Sequence, residues 1–489
     1  MLRARRTQRL QDHHGWTSVE TGVDVPILRM GVILVAAAIF AAPASPFALA
    51  GEAKSPPQSK ALPAHLDHEG YRLLLDKPYV KAGFNQELFD QLYQSWEDPL
   101  AEQAAKATPE QRTQMAYDRY GLTKAPGREG GMPLQYTNDG KGGWSINCFS
   151  CHGGKVAGQV IPGAPNSLFA METLAEDVKA TRRKLGQFSL RDLAAGVFPQ
   201  GGNVGTTNAV MFGVLLEATR DKDLERVFDR PYPKMVHHDM DAPAWWLMKK
   251  KTMLYADGFA ERDHRALMQF MMTPENTGQR IRNMEDDYRK IYDWIMSLEP
   301  PKYPFPIDHQ LAEKGREIFN RNCSECHGTY GENWTYPNRV VPIEEVGTDP
   351  VRLTALTPEH RRRYQENWFS YYGKKKVVTD PQGYVAPPLD GIWASAPYFH
   401  NGSVPTLWHV LHPDQRPKVW RRSIDGYDTE KVGLEIETFD EVPATVTTKA
   451  ERRWYFDTSG FGKSAAGHTY PEVLSEEEKT AVLEYLKTL

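Results

Sequence analysis

Apolar residues recur at helical spacing in three stretches of the chain. Tyr288, Ile291, Trp294, Ile295 and Leu298 form one stripe, and Leu311, Gly315, Ile318 and Phe319 a second that runs into Cys323. The third, Val482, Leu483, Tyr485, Leu486 and Leu489, follows Ser475-Glu476-Glu477-Glu478, a capping-box pattern that predicts a helix start. The first and third stripes close alike, in Trp294-Ile295-Met296-Ser297-Leu298 and Tyr485-Leu486-Lys487-Thr488-Leu489. Pro300, Pro301, Pro304 and Pro306 lie between the first two stripes, forbid a continuous helix and mark a linker. Glu87 to Tyr93 reads as one amphipathic turn, part of a helical decoration over residues 51–100. The pattern predicts a mainly α protein of two tandem helical domains with long loops, residues 51–299 and 300–489.

The N-terminus reads differently. Arg3, Arg5, Arg6, Arg9 and Arg29 precede an apolar run from Met30 to Ala42. That run is shorter than the ~18–20 residues needed to span a bilayer and suits the apolar region of an export signal. Ala48-Leu49-Ala50 supplies small residues for cleavage, so residues 1–50 are expected to be a signal peptide. The expected location is periplasmic or secreted, with membrane attachment only if the segment stays uncleaved. Over the 489 residues, 59 basic side chains face 63 acidic ones, a net charge of −4 that gives no reason to expect nucleic acid as a partner. With 40% hydrophobic and 25% charged residues the chain is not a largely disordered one.

Only four cysteines are present, and both pairs are CxxCH: Cys148-Phe149-Ser150-Cys151-His152 and Cys323-Ser324-Glu325-Cys326-His327. Two thiols three positions apart can reach the two vinyl groups of one porphyrin, and the adjacent imidazole then lies under the iron as proximal ligand. The pattern predicts two covalently bound haem c groups, so each domain is expected to be cytochrome c-like with one haem. A Cys₄ zinc site or a pair of disulfides would use the cysteines but leave His152 and His327 unexplained.

The two halves also echo each other downstream of the motifs. Ala242-Pro243 is followed by Tyr255-Ala256-Asp257-Gly258, and Ala386-Pro387, at the same distance, by Phe399-His400-Asn401-Gly402. Each copy ends in an aromatic residue, a spacer, Asx and Gly, a turn signature that suggests duplication.

The stretch Pro387-Pro388-Leu389-Asp390-Gly391-Ile392-Trp393-Ala394-Ser395-Ala396-Pro397-Tyr398-Phe399-His400-Asn401-Gly402-Ser403-Val404-Pro405-Thr406-Leu407 resembles the signature of the di-haem cytochrome c peroxidase superfamily. The segment Asn147 to Gly154, the element Pro243-Ala244-Trp245-Trp246 and Ala466-Gly467-His468 are most similar to the rubber-oxygenase-like di-haem branch. The chain is markedly shorter than the rubber-cleaving members, which leaves a polymer substrate open.

For the second haem, His468 follows Gly460, Gly462 and Gly467 just ahead of the closing helix, and no methionine occurs between Cys323 and the C-terminus. With the resemblance, which implies a histidine at this place, His327 and His468 are the expected pair of axial ligands. The resemblance also implies an exchangeable distal position at the first haem. Phe259 is the candidate distal wall there, and the eleven methionines between His152 and the linker read as core filler. Trp245 and Trp246 are either packed core or, as the resemblance implies, an electron or radical relay between the haems. His400 either serves the inter-haem region or holds its turn.

Three functions are open on the sequence: an enzyme that activates peroxide or dioxygen at haem 1 with electrons passing through haem 2, a non-enzymatic electron carrier with both irons six-coordinate, and an oxidising maturation protein. The first is favoured, because the Pro387–Leu407 signature exceeds what a minimal carrier needs. Its expected partners are a small-molecule oxidant, peroxide or dioxygen, and an electron donor or organic substrate.

Overall fold

The computed structural model describes residues 64–128, 130–187, 201–231 and 233–489; the export signal read over residues 1–50 lies outside them. Each apolar stripe becomes a helix face. Helix Glu285–Ser297 buries Tyr288, Ile291, Trp294 and Ile295 and packs against Glu69–Asp76, whose buried Tyr71 sets its ring 5.4 Å from that of Trp294. Helix His309–Asn322 starts where Asp308 Oδ1 accepts from the backbone N–H groups of Gln310 and Leu311, and ends at Cys323. It crosses helix Glu476–Leu486, whose capping box is formed by Ser475 and Glu478. Gly315 lies at the crossing. A Cβ there would come 1.9 Å from the Ala481 carbonyl oxygen, so only glycine lets the two backbones approach this far.

No helix forms between Ser297 and His309, where the prolines fall. This stretch is pinned instead: the Trp393 indole donates to Pro301 O at 2.7 Å and the Tyr303 hydroxyl to Thr429 O at 3.2 Å. One hydrophobic core draws on both sides of it, joining Leu74, Phe149 and Trp294 with Trp368, Trp393 and Leu483. A smaller core of Phe84, Trp96, Tyr120 and Trp144 stands beside helix Pro109–Tyr120. The described residues form one compact unit.

The expectation of a mainly α pair of tandem cytochrome domains is not met. Among the described residues twelve strands build two three-stranded and three two-stranded sheets, all antiparallel, so the fold is mixed. The longest strands, Val419–Asp428 and Gly433–Phe439, pair in a ribbon that Tyr455–Asp457 extends on the other edge. Leu434-Glu435-Ile436-Glu437 alternates apolar and charged residues with period two, the strand signal that a reading tuned to 3.6-residue stripes passes over. Trp420 pairs with Phe456 in register, their rings stacked 5.1 Å apart. The shorter hairpin Gly153–Val156/Gln159–Pro162 follows directly on the first CxxCH motif.

Candidate functional site

Each CxxCH motif is one helical turn, Phe149–His152 and Ser324–His327, closed by a bond from the histidine N–H to the carbonyl of the first cysteine. The four thiols are free, and among the described residues no three His, Cys, Asp or Glu side chains converge as a metal cluster. The disulfide and Cys₄ zinc readings therefore have no counterpart in this arrangement.

Both motif histidines are held the same way. His152 Nδ1 donates to Pro243 O at 3.1 Å, and His327 Nδ1 to Pro387 O at 2.8 Å. A proton fixed on Nδ1 leaves the Nε2 lone pair free, as a metal-bound imidazole requires. Burial pushes the His152 pKa down to about 4 and lowers that of His327, so both rings are neutral near pH 7. Both rings are half-buried and keep accessible surface. The proline carbonyls were not foreseen as histidine partners. Their signal was the Ala242-Pro243/Ala386-Pro387 echo.

His468 faces His327, ring centroids 6.1 Å apart and planes inclined at 65°. Two metal–nitrogen bonds of about 2 Å and two ring radii of roughly 1.1 Å span about 6 Å, so the gap matches one metal ion between two imidazoles. The residues present thus fit an iron on this side. His468 has φ +50, its N–H donates to Val346 O at 2.6 Å, and Arg416 ties the loop by bonding Ala465 O and Gly467 O, each at 2.6 Å. Burial, with His327 and Arg416 nearby, pushes its pKa down to about 3, and its Nδ1 is buried without a partner among the described residues. Among the described residues no imidazole faces His152 in this way. Trp245 instead stacks against the flank of the His152 ring, 4.5 Å away and 21° inclined.

The echo is a true structural repeat. Tyr255 and Phe399, 144 positions apart, both take positive φ (70° and 69°), and each accepts from the N–H of the glycine three residues on, Gly258 and Gly402. The copies also clasp one another: Asp241 N donates to His400 O at 2.9 Å, and Val385 N, equivalent to Asp241, donates to Ala256 O, equivalent to His400, at 2.7 Å. Trp246 and Asp390 are equivalents as well and touch, the indole N–H donating to Asp390 O at 2.7 Å. A residue that meets its own equivalent lies on the local twofold axis of the repeat.

The His400 ring lies 4.4 Å from that of Tyr384, and burial together with Arg352 and His238 pushes its pKa down to about 3. Phe259 packs with Tyr255 and Tyr364 rather than with the first motif, and lines a small cavity shared with Glu217, Gln269 and Arg352. The Glu217 carboxyl, absent from the sequence reading, is raised by burial to about 8.

With this geometry in view, residues 383–421 match a family model described as RoxA-like, cytochrome c-like. The matched segment contains Pro387, whose carbonyl holds His327. Two relatives from Sinorhizobium fredii (strain NBRC 101917 / NGR234) are similar over part of their length. Uncharacterized protein y4iM is 27% identical over 262 residues, 47% of this chain and 56% of the relative. Uncharacterized protein y4iJ is 28% identical over 258 residues, 39% of this chain and 41% of the relative. The chain spans about half the length of these curated relatives. Residues 383–421 are thus similar to a RoxA-like, cytochrome c-like domain, a kind of domain that goes with covalently bound haem c.

Proposed function

We propose that the protein is an exported di-haem c-type cytochrome that activates peroxide or dioxygen at haem 1, held by Cys148, Cys151 and His152, and passes electrons through haem 2, held by Cys323, Cys326, His327 and His468. One observation carries this reading: the two motif histidines are held alike by Pro243 and Pro387, yet among the described residues only His327 is faced by a second imidazole. A filled sixth position suits electron transfer and an open one suits binding of an oxidant. The haem groups supply the redox and oxidant-binding chemistry when bound. The chain's own residues set the tautomer of each imidazole, shut one coordination position with His468 and leave the other open. Trp245 and Trp246 are the relay candidates. The organic substrate or electron donor then reacts at or near haem 1.

The test is spectroscopic. Ultraviolet-visible and EPR spectra of the isolated protein should show one low-spin bis-histidine haem and one ligand-accessible haem, and cyanide should bind one haem per chain. Peroxide, or a polyisoprenoid under air, should then perturb the accessible centre. Binding of cyanide at neither haem would replace this reading by that of an electron carrier.

A further inference from the structure

Two arginines stand next to each other on the ribbon strand Val419–Asp428 and meet different surroundings. Side chains alternate along a strand, so Arg421 and Arg422 point to opposite faces. Arg421, on the outer face, takes Glu437 across the ladder in a forked pair, at 3.0 and 2.9 Å. Arg422 shares the inner face with buried Trp420, pairs with Ile436 and is itself only 9% exposed. Among the described residues it makes no ion pair. Its Nη1 donates to Ser167 O at 2.7 Å and its Nε to Ser423 O at 3.4 Å, while Nη2 has no partner among the described residues.

A guanidinium removed from water without a counter-charge is costly, and buried charges are ordinarily paired. Burial pushes the Arg422 pKa down to about 10, which leaves the group charged at neutral pH. The two carboxyls that act on it do not supply the missing charge. Asp425 is bound by Lys155 at 2.6 Å, and burial raises Asp241 well above the usual carboxylate range, which keeps it protonated. Arg422 instead lines a small cavity between the ribbon and the hairpin Gly153–Val156/Gln159–Pro162, together with Lys155, Gly158, Ser167, Asp425 and Tyr427. The charged side chains of that lining are Lys155, Arg422 and Asp425, an excess of one positive charge. The ribbon bulges here, between Arg422 and Tyr427, a device that re-aims side chains.

The cavity adjoins the first CxxCH motif. Its hairpin wall begins directly after His152, and Asn166, next to the Ser167 that Arg422 bonds, donates to Cys151 O at 2.9 Å and to Ser150 O at 3.1 Å. We propose that this cavity is a carboxylate-binding site, with Arg422 as the residue that takes the carboxylate. A guanidinium edge matches a carboxylate in shape, and an excess of one positive charge calls for a single negative one. Two sources share that chemistry: a propionate of haem 1, and a small free carboxylate entering the cavity. The first source rests on the two-haem reading above; the second does not.

The test compares haem-loaded wild type with Arg422→Gln, following the potential of each haem at its own absorption bands and titrating succinate by calorimetry. If the carboxylate is a propionate, Arg422→Gln leaves it unpaired near haem 1. Reduction of that haem should then become about tenfold less favourable, about 59 mV for one electron, with haem 2 unmoved and succinate bound by neither protein. If the carboxylate is free, succinate should bind wild type one to one and Arg422→Gln at least about tenfold more weakly, with both potentials unchanged. Arg421→Gln, on the outer face, should alter neither quantity. Should Arg422→Gln fail to load haem, Arg422→Lys, which keeps the charge but loses the fork, should show a smaller change of the same sign. Unchanged potentials together with no succinate binding to wild type overturn the proposal. A wild-type protein without haem on Cys148 and Cys151 overturns the two-haem reading instead, and succinate binding by itself then decides the Arg422 site.

Discussion

Asp257 and Asn401 hold the same place in the two copies of one turn, and each uses its side chain to fasten a different part of the C-terminal half. The Asp257 carboxylate takes Arg352 in a forked pair, at 3.0 and 3.1 Å, and Arg361 at 2.6 Å, all three side chains being almost fully buried. The Asn401 amide donates to Gly462 O at 3.2 Å and Ser464 O at 3.0 Å, and so holds the loop that leads to His468. The same turn thus serves twice, its Asx side chain an ionic clasp in one copy and a loop anchor in the other.

Asp257→Asn should be strongly destabilising. Burial alone would raise the Asp257 pKa, but Arg352 and Arg361 outweigh it and hold the carboxyl below its usual value, so the group is a carboxylate at neutral pH. Removing its charge strands two buried guanidiniums, which typically costs about 3–5 kcal/mol. A triple variant, Asp257→Leu with Arg352→Met and Arg361→Met, should lose less, because no unpaired charge remains. Urea unfolding of both variants against wild type checks the order; equal losses would mean that packing rather than charge pairing dominates there.

His468→Ala should convert one haem from low-spin to high-spin and leave the other nearly unchanged. The imidazole facing His327 is lost while the Pro387 hydrogen bond to His327 stays. Cyanide titration should then rise from one to two ligands per chain. A low-spin signal that survives intact would remove His468 as the sixth ligand.

Intact mass of the mature protein should exceed the polypeptide by two haems, and replacement of Cys148 and Cys151 by serine should remove one of them. The remaining haem should keep the low-spin spectrum assigned to His327 and His468. Loss of both haems from that variant would mean that the sites do not mature independently.

The two motifs were legible because CxxCH is a local pattern, two thiols and an imidazole within five residues. The helices flanking the second motif were equally plain, since Ser475 opens a capping box and the apolar stripes are regular. The ribbon from Val419 to Phe439 was missed because its signal is a short alternation with a bulge between Arg422 and Tyr427. The contacts around Trp246 were out of reach for another reason. Ala242-Pro243 and Ala386-Pro387 are visible as a repeat, but that each proline carbonyl meets a histidine 91 or 60 positions away depends on how the halves pack. The Asp257 clasp and the cavity around Glu217 likewise join segments distant in the chain, and no spacing rule reports them.

Glu217 should give the protein a stability that falls as pH rises. It lies near the end of helix Ala209–Ala218, in the wall of the cavity lined by Val214, Tyr255, Phe259 and Gln269, and its Oε1 accepts from Asn367 Nδ2 at 2.7 Å. Burial raises its pKa from 4.5 to about 8, only partly offset by Arg363, Arg230 and the Asn367 bond. Between those two values the folded protein keeps a proton that the unfolded chain has released. More protons on the folded side mean that stability declines from about pH 4.5 to about pH 8 and levels off above it, by on the order of a few kcal/mol from this one group. Glu217→Gln retains the carbonyl oxygen that Asn367 bonds and removes the titration. Urea unfolding at pH 5, 6.5 and 8 should therefore show the glutamine variant gaining on wild type as pH rises, with the smallest difference at pH 5. A difference that stays constant across the three values would mean that Glu217 is ionised throughout and that its cavity is open to water.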